Sequence, residues 1–338
     1  MSSPLKVIIP TAGFGSRLRP HTWSRPKPLV SVAGKPVLAH VLDTLQSAPQ
    51  AADAELVFIV GYLGDQIQAY MQAEHPQVKA HFVQQEEMLG QSHAIAMARE
   101  YMQGPLLILF VDTIVETDFG FLGDEEADAV IWVKEVEDPR RFGVVDLDDE
   151  GWVQGLIEKP DSMDNNRAIV GIYYFARGED LLAAIDRQIA EDVQTKGEYF
   201  LADAMDLMLK DGLRMRPQDV GVWLDAGLPA TVLETNRYLL EHGRDNSMEV
   251  VEHPRVKVDA PVFVHPSAEV EDSRIGPGVS IGPDCVVRGS RLVDSVLEAG
   301  AQVLDSDLQN SLIGQRARVQ GIQGEINIGD DSVVQGKS

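Results

Sequence analysis

The sequence predicts an α/β chain in two parts: a mixed sheet domain, then a left-handed parallel β-helix of hexapeptide repeats. Three observations carry this. Strand-length apolar runs alternate with amphipathic helical stretches over the first half; residues 127 to 176 turn strand-rich around an acidic hairpin turn; and beyond residue 260 aliphatic residues recur every six positions.

In chain order, LKVIIP (5 to 10), ELVFIV (55 to 60), VKAHFVQ (78 to 84) and LLILFV (106 to 111) read as buried strands. Between them Val37, Leu38, Val41, Leu42 and Leu45 fall on one helical face, as do Ala94, Ile95, Met97, Ala98 and Tyr101 on a helix after Gly90. That rhythm indicates a Rossmann-like parallel sheet with right-handed crossovers, whose ligands sit beyond the carboxyl ends of the strands. ADAVIWV, FGVVDLDDEGWVQGLIE and AIVGIYYF extend it into a mixed sheet. Helical periodicity returns at 179 to 190 and 199 to 210, VWLD (222 to 225) reads as a short strand, and Pro229 opens a helix to about His242. The expected division is 1–245 for the α/β domain, 246–258 for a linker and 259–338 for the β-helix.

In that last part Ile275, Ile281, Val287 and Val293 are spaced by six, as are Val264 with Val270, Leu297 with Val303 and Ile313 with Val319. Six residues per side and three sides per coil give a β-helix whose repeated aliphatics point inward and stack coil on coil. The steps at 270 to 275 and 293 to 297 are irregular, and the last coil, 319 to 334, is degenerate.

The 338 residues carry a formal charge of −24, with 44% hydrophobic and 24% charged residues. The apolar share fills a sizeable core, and the length suits about two domains. Such negative charge argues against nucleic acid or an anionic membrane as partner. No segment approaches the ~18 apolar residues that span a bilayer, and MSSPLKVIIP lacks the features of a signal peptide, so a cytoplasmic protein is expected. The single cysteine, Cys285, excludes an internal disulfide and a cysteine-based zinc site and reads as a small buried hydrophobe.

The strongest chemical signal follows the first strand: Thr11-Ala-Gly-Phe-Gly-Ser-Arg-Leu-Arg-Pro20, His21-Thr22, then Pro26-Lys27-Pro28. Gly13 and Gly15 allow a tight bend that presents N–H groups to phosphate oxygens, and Arg17 supplies a planar fork for a polyphosphate. Leu18 at the third glycine position excludes the dinucleotide fingerprint, and the absence of GKS/T excludes a Walker A loop.

AGFGSRLRPHT followed by PKPL resembles the signature of the sugar-1-phosphate nucleotidyltransferases, and its Ala-Gly-x-Gly form looks closer to the uridylyltransferase branch than to the double-Gly form common in thymidylyltransferases. QQEEMLGQSHAI (84 to 95) is similar to the family's base-recognition segment, LFVD (109 to 112) to its first metal aspartate, FGVV (142 to 145) and EKP (158 to 160) to its sugar and phosphate contacts, and WLDAG (223 to 227) to its second metal aspartate. The tail resembles that of the long, two-domain members.

The resemblance implies Mg²⁺-dependent transfer from UTP or dTTP to a sugar 1-phosphate such as glucose 1-phosphate, with a homo-oligomer as the expected assembly. It implies Arg17, Lys27 and Asp112 as catalytic residues. Ala12, Gly13, Gly15, Ser16, Gln85 and Gly90 would bind nucleotide, with the Gln85 amide reading uracil or thymine and Gly90 letting the base approach. Gly143, Glu158, Lys159, Gly171 and Glu198 would bind the sugar phosphate, and Asp112 and Asp225 the metal. Asp118, six residues past Asp112, reads as solvated, and Gln84 as pointing away from Gln85. One departure is Val111, where the family usually has glycine; its side chain could crowd the substrates, which motivates the alternative of an impaired nucleotide-sugar-binding regulatory protein. An acyltransferase use of the β-helix finds only His253 and His265 near its entry.

Overall fold

The structure, a computed structural model, describes residues 4–250 and 255–336. It divides into two compact units: the chain up to Gly13 with Val41–Trp223, and Phe14–His40 with everything from Leu224 on.

The first unit is built on one nine-stranded mixed sheet. Its order runs Val153–Glu158, Gly143–Leu147, Arg167–Phe175, Leu106–Leu109, Lys6–Pro10, Glu55–Val60, Lys79–Gln84, with Ala129–Glu135 joining Arg167–Phe175 to Met215–Asp219. The four strands from Leu106–Leu109 to Lys79–Gln84 are parallel, and Arg167–Phe175 runs antiparallel beside Leu106–Leu109, which begins the mixed extension. Glu55–Val60 is buried throughout because a central parallel strand is covered on both faces, hence its continuous apolar run.

Three sequence expectations change here. Lys79–Gln84 is an edge strand and only partly buried; ion pairs of Glu55 with Lys6 (2.7 Å) and Lys79 line that side and hold the Glu55 carboxyl down at about 2. The helix after Gly90 is Gln91–Ala96 followed by a separate turn, Arg99–Tyr101; Met97 is 39% exposed, and Met102 is buried instead. Met215–Asp219 is a strand that RMRPQD does not announce, and it tolerates Pro217 because it lies at the other edge. Helices Gly178–Ala190 and Leu201–Lys210 form as expected and cover one face of the core.

The second unit contains the left-handed β-helix, three parallel five-stranded sheets between Lys257 and Gln335. Inward aliphatics stack in columns: Val264, Ile281, Leu297, Ile313, Ile328 on one side, and Val270, Val287, Val303, Val319, Val334 on the next. The third column runs Val258, Ile275, Leu292, Leu308, so Leu292 and not Val293 points inward. From Val258 to Leu292 the inward residues of each coil are spaced six, six and five; from Leu292 to Gly324 the spacing is five, six and five, and from Gly324 to Ile328 it is four. Successive coils are therefore offset by 17, 16, 16 and 15 residues along the Val264 column, not by eighteen. The corners explain the trimming. Asp272, Asp294, Asp305 and Asn310 turn there in the left-handed region that short polar side chains tolerate, and the Ser273, Ser290 and Ser306 hydroxyls each accept the N–H one coil on. Cys285 is buried, as expected, and burial pushes its thiol up to about 11. The degenerate last coil still pairs in register.

Phe14–His40 and the helix Pro229–Leu239 pack on these coils, so the compact units cut across the linear division expected at residue 245. Asn236 donates to Gly278 O (3.0 Å) and accepts from Ala33 N and Ser280 Oγ. Arg237 pairs with Asp294 at 2.8 Å. The expected linker includes residues 251–254, which lie outside the described residues, as does His253; the His265 ring bonds Ser267 within its own turn. Among the described residues no helix is long and apolar enough to cross a membrane.

Candidate functional site

In the first unit, Gly143, Glu158, Lys159 and Glu198, four of the five residues expected to contact sugar phosphate, lie near one another. Gly143 pairs with Glu158 across antiparallel strands. A Cβ on Gly143 would lie 2.9 Å from Glu158 Oε2, so bare backbone is what lets the carboxylate fold over it. Lys159 turns out of the strand at φ 48°; its Nζ lies 3.8 Å from Glu158 Oε1 and 4.1 Å over the Phe200 ring. Burial raises the Glu158 pKa, Lys159 opposes that, and Asp203 and Glu198 add to it. Glu198 is exposed on a tight turn bonded to Thr195. Gly171 sits in the irregular middle of its strand, between the registers at Ile169 and Tyr173, and its carbonyl accepts Phe110 N.

Asp112 follows Leu106–Leu109 in a turn and is half-buried. Its charge and that of Glu158 both act on Tyr173, whose buried hydroxyl is held neutral first by desolvation. Val111 is 5% exposed and its side chain packs inside the unit. Gln85 is buried while Gln84 is exposed, the alternation expected of a strand end; Gln85 Nε2 donates to Glu87 O at 3.0 Å. Gly90 has a packing reason of its own. At φ 117°, a Cβ there would meet Tyr199 N and O at 2.6 Å, so the glycine accommodates the backbone of the turn that carries Glu198. Ala12 is buried at the first strand's end, and Gly13 is exposed. Asp118 is exposed, as expected, and accepts Gly120 N.

The second unit holds the rest of the glycine-rich turn. Gly15 adopts φ 58°, its carbonyl accepts Thr22 Oγ1 at 2.7 Å, and a Cβ there would meet Thr22 at 3.0 Å and Lys27 Cβ at 3.1 Å. Ser16–Leu18 forms one helical turn, presenting Ser16 and Arg17 to solvent. Asp225 Oδ1 accepts Gly227 N at 2.7 Å, and the Cβ that Gly227 lacks would lie 3.4 Å from Lys27 Nζ, so the ammonium and this carboxylate share one niche.

A family model described as Nucleotidyl transferase matches residues 6–242. The chain belongs to the nucleotidyl transferase family. A glucose-1-phosphate thymidylyltransferase of Streptomyces griseus is 29% identical over 93% of this chain and 93% of its own length. The bifunctional protein GlmU of Methanocaldococcus jannaschii is 35% identical over 70% of this chain, and the matched part spans 55% of that longer relative. A solved UDP-glucose pyrophosphorylase in complex with UDP-glucose has the same fold, at TM-score 0.60 and 19% identity, over 71% of this chain and all of that one.

For a nucleotidyl transferase the donor set can be tested against the expected metal. Among the described residues no group of three or more His, Cys, Asp or Glu could hold an ion alone. Asp112 and Asp225 are hard oxygen donors, one in each unit. Mg²⁺ commonly takes one or two carboxylates and completes its shell with substrate phosphate and water, so the residue types fit.

Several residues of this nucleotidyl transferase escaped the sequence reading. Tyr173 is one. Asp203 is another: its Oδ2 is buried without a hydrogen bond, Thr195 donates to its Oδ1, and burial raises its pKa. Trp223 carries a buried indole N–H without a partner and stands edge-on to Phe142. Only Trp223 had a signal, its place inside WLDAG.

Proposed function

We propose that this nucleotidyl transferase moves a nucleotidyl group from UTP or dTTP to a sugar 1-phosphate, glucose 1-phosphate foremost, releasing pyrophosphate and an NDP-sugar, with Mg²⁺ as cofactor. The observation that carries this reading is the Gly143–Glu158–Lys159 arrangement, a hydroxyl-accepting carboxylate and a cation side by side over bare backbone. The thymidylyltransferase name of the Streptomyces relative and the UDP-glucose bound by the structural neighbour favour a pyrimidine nucleotide and glucose.

In the reaction, a phosphate oxygen of the sugar 1-phosphate bonds to the nucleotide α-phosphorus, and the bond from that phosphorus to the leaving pyrophosphate breaks. The nucleophile is largely dianionic at pH 7 and needs no base. The task is to hold several negative charges in line, which is positioning and charge stabilisation. Lys159 holds the sugar phosphate, Glu158 and Glu198 accept sugar hydroxyls, Gln85 reads the base, and Arg17 and Lys27 hold the triphosphate and then pyrophosphate. Mg²⁺, when bound by Asp112 and Asp225, supplies charge neutralisation at the reacting phosphates. The chain acts in the cytoplasm as a homo-oligomer in this reading. A binding-only protein draws no support from Val111, which is buried.

The test is pyrophosphate release with Mg²⁺ across the four NTPs and dTTP, each crossed with several sugar 1-phosphates. Turnover is expected with UTP or dTTP and glucose 1-phosphate, and silence for every pair would remove the reading. Asp112→Asn and Asp225→Asn should each abolish turnover, and Gln85→Ala should relax base choice at a smaller cost in rate; an unchanged kcat in Asp225→Asn would break the metal assignment.

A further inference from the structure

We propose that Arg25 is the positioning residue of the nucleotide-phosphate loop, and that through it the β-helix holds the groups for the triphosphate in place. Arg25 is 4% exposed. Its Nη1 lies 2.7 Å from Glu298 Oε2 and its Nη2 lies 3.1 Å from Asp330 Oδ1, both carboxylates being buried. These acids belong to different coils of the β-helix, and the planar fork of arginine reaches both at once, which a lysine ammonium on its single bond does not.

The same two carboxylates bind the chain on each side of Lys27. Glu298 also accepts Ser31 N (2.9 Å) and Ser31 Oγ (2.8 Å); Asp330 also accepts Ser24 Oγ (2.7 Å), together with Gln315 N (2.7 Å) from its own coil. Further back, the His21 ring meets Asn327 Oδ1 at 2.6 Å. Residues 21, 24, 25 and 31 are thus tied to the coils, while Lys27 between them points toward Gly227. Thr22, inside the same tether, hydrogen-bonds the carbonyl of Gly15, and Lys27 Cβ packs under Gly15. The β-helix therefore fixes both Lys27 and the turn that carries Ser16 and Arg17.

The consequence falls on the groups for the triphosphate. Every residue assigned to the sugar phosphate lies in the first unit, whereas Gly15, Ser16, Arg17, Lys27 and their anchors lie in the second. Loosening the anchor misplaces the groups for the triphosphate and leaves Gly143, Glu158, Lys159, Gly171 and Glu198 where they are. A change that merely lowered the fraction of folded protein would reduce kcat and leave both KM values alone.

The inference rests on the reading of the Gly15–Lys27 segment as the triphosphate loop, and two readouts keep them apart. In the full-length chain, Arg25→Met is compared with wild type and with Arg25→Lys by steady-state kinetics in both substrates and by amide hydrogen exchange. In Arg25→Met, kcat/KM for the nucleotide is expected to fall about a hundredfold, the effect of a roughly 1 Å misplacement. Its KM for nucleotide rises, KM for sugar phosphate does not, and residues 14–31 exchange faster while the coil strands stay protected. Arg25→Lys recovers only part of the loss, because it reaches one carboxylate. Equal effects on both substrates, or unchanged exchange at 14–31 with the coils intact, would overturn the proposal. Should Arg25→Met unravel the coils, Glu298→Gln, which keeps shape and removes charge, is read by the same criteria. If wild type turns over no pair, the reading of the loop fails, and the exchange pattern alone still decides whether Arg25 anchors it.

Discussion

Glu158, proposed to accept a sugar hydroxyl, is a carboxylate whose burial costs stability. Burial raises its pKa above the ordinary 4.5, and the nearby Lys159 offsets only part of that. For a carboxyl whose folded pKa lies above its unfolded one, the folded state holds the proton more tightly. The stabilising contribution is present below the unfolded pKa and is lost as pH rises through the folded value. Glu158→Gln should accordingly raise Tm at neutral pH, the gain shrinking as pH falls through the range around 4.5, while KM for the sugar phosphate increases; a lower Tm at pH 7 would show that Lys159 depends on the charge. This position was legible as a motif, since Gly143 and Glu158 sit in recognisable segments, but their pairing was not. It arises from strand register across the hairpin of residues 147 to 153, where a shift between Val153 and Gly155 offsets the pairs in a way the turn residues do not announce. Tyr173 was illegible because the charges around it, Glu158 and Asp112, come from segments far apart in the chain.

At the scale of elements, the turn around Tyr199 ties the segment proposed to read the base to the turn that carries Glu198. Tyr199 N donates to Leu89 O and Ser92 N to Tyr199 O, and Gly90 lies between at φ 117° with no room for a side chain. Gly90→Ala adds backbone strain and drives a methyl into the Tyr199 backbone, so it should destabilise by more than about 1 kcal/mol and weaken both substrates together, since Gln85 and Glu198 flank the same junction. Thermal melts and the two KM values check this, and a selective effect on nucleotide would point instead to the base approach expected from sequence. Strand existence and type were readable wherever a strand is central, as in ELVFIV, because burial on both faces writes a continuous apolar run. Edges were not: VKAHFVQ promised more burial than an edge strand has, and RMRPQD promised no strand at all. In the β-helix the six-residue spacing revealed the architecture, yet it hid the five-residue sides, because Leu292 and Val293 are equally apolar and only the corner geometry chooses between them.

At the scale of the whole chain, the charge of −24 is unevenly distributed along the sequence. Phe14–His40 contains Arg17, Arg19, Arg25, Lys27 and Lys35 and no acid, and Asp43 is the first acid of the chain. This cationic segment clusters with the acidic coils, and Glu298 and Asp330 neutralise Arg25. Matching residues 6–242 to the family suggests that a chain ended at Asp245 would be self-sufficient. The contact pattern says otherwise. Such a fragment keeps the sheet of the first unit but removes Glu298, Asn327 and Asp330 from residues 21 to 31, Phe263 from Gly34, and Gly278 and Ser280 from Asn236. Ordering the backbone costs about 1–2 kcal/mol per residue, so the segment cannot hold its shape once those partners are gone. The 1–245 fragment should retain the far-UV signature of the sheet domain, expose residues 14–40 to proteolysis and lose nucleotide turnover. Limited digestion with mass spectrometry and the pyrophosphate assay measure both, and a protease-resistant fragment with wild-type kcat/KM would return the β-helix to the status of an appendage.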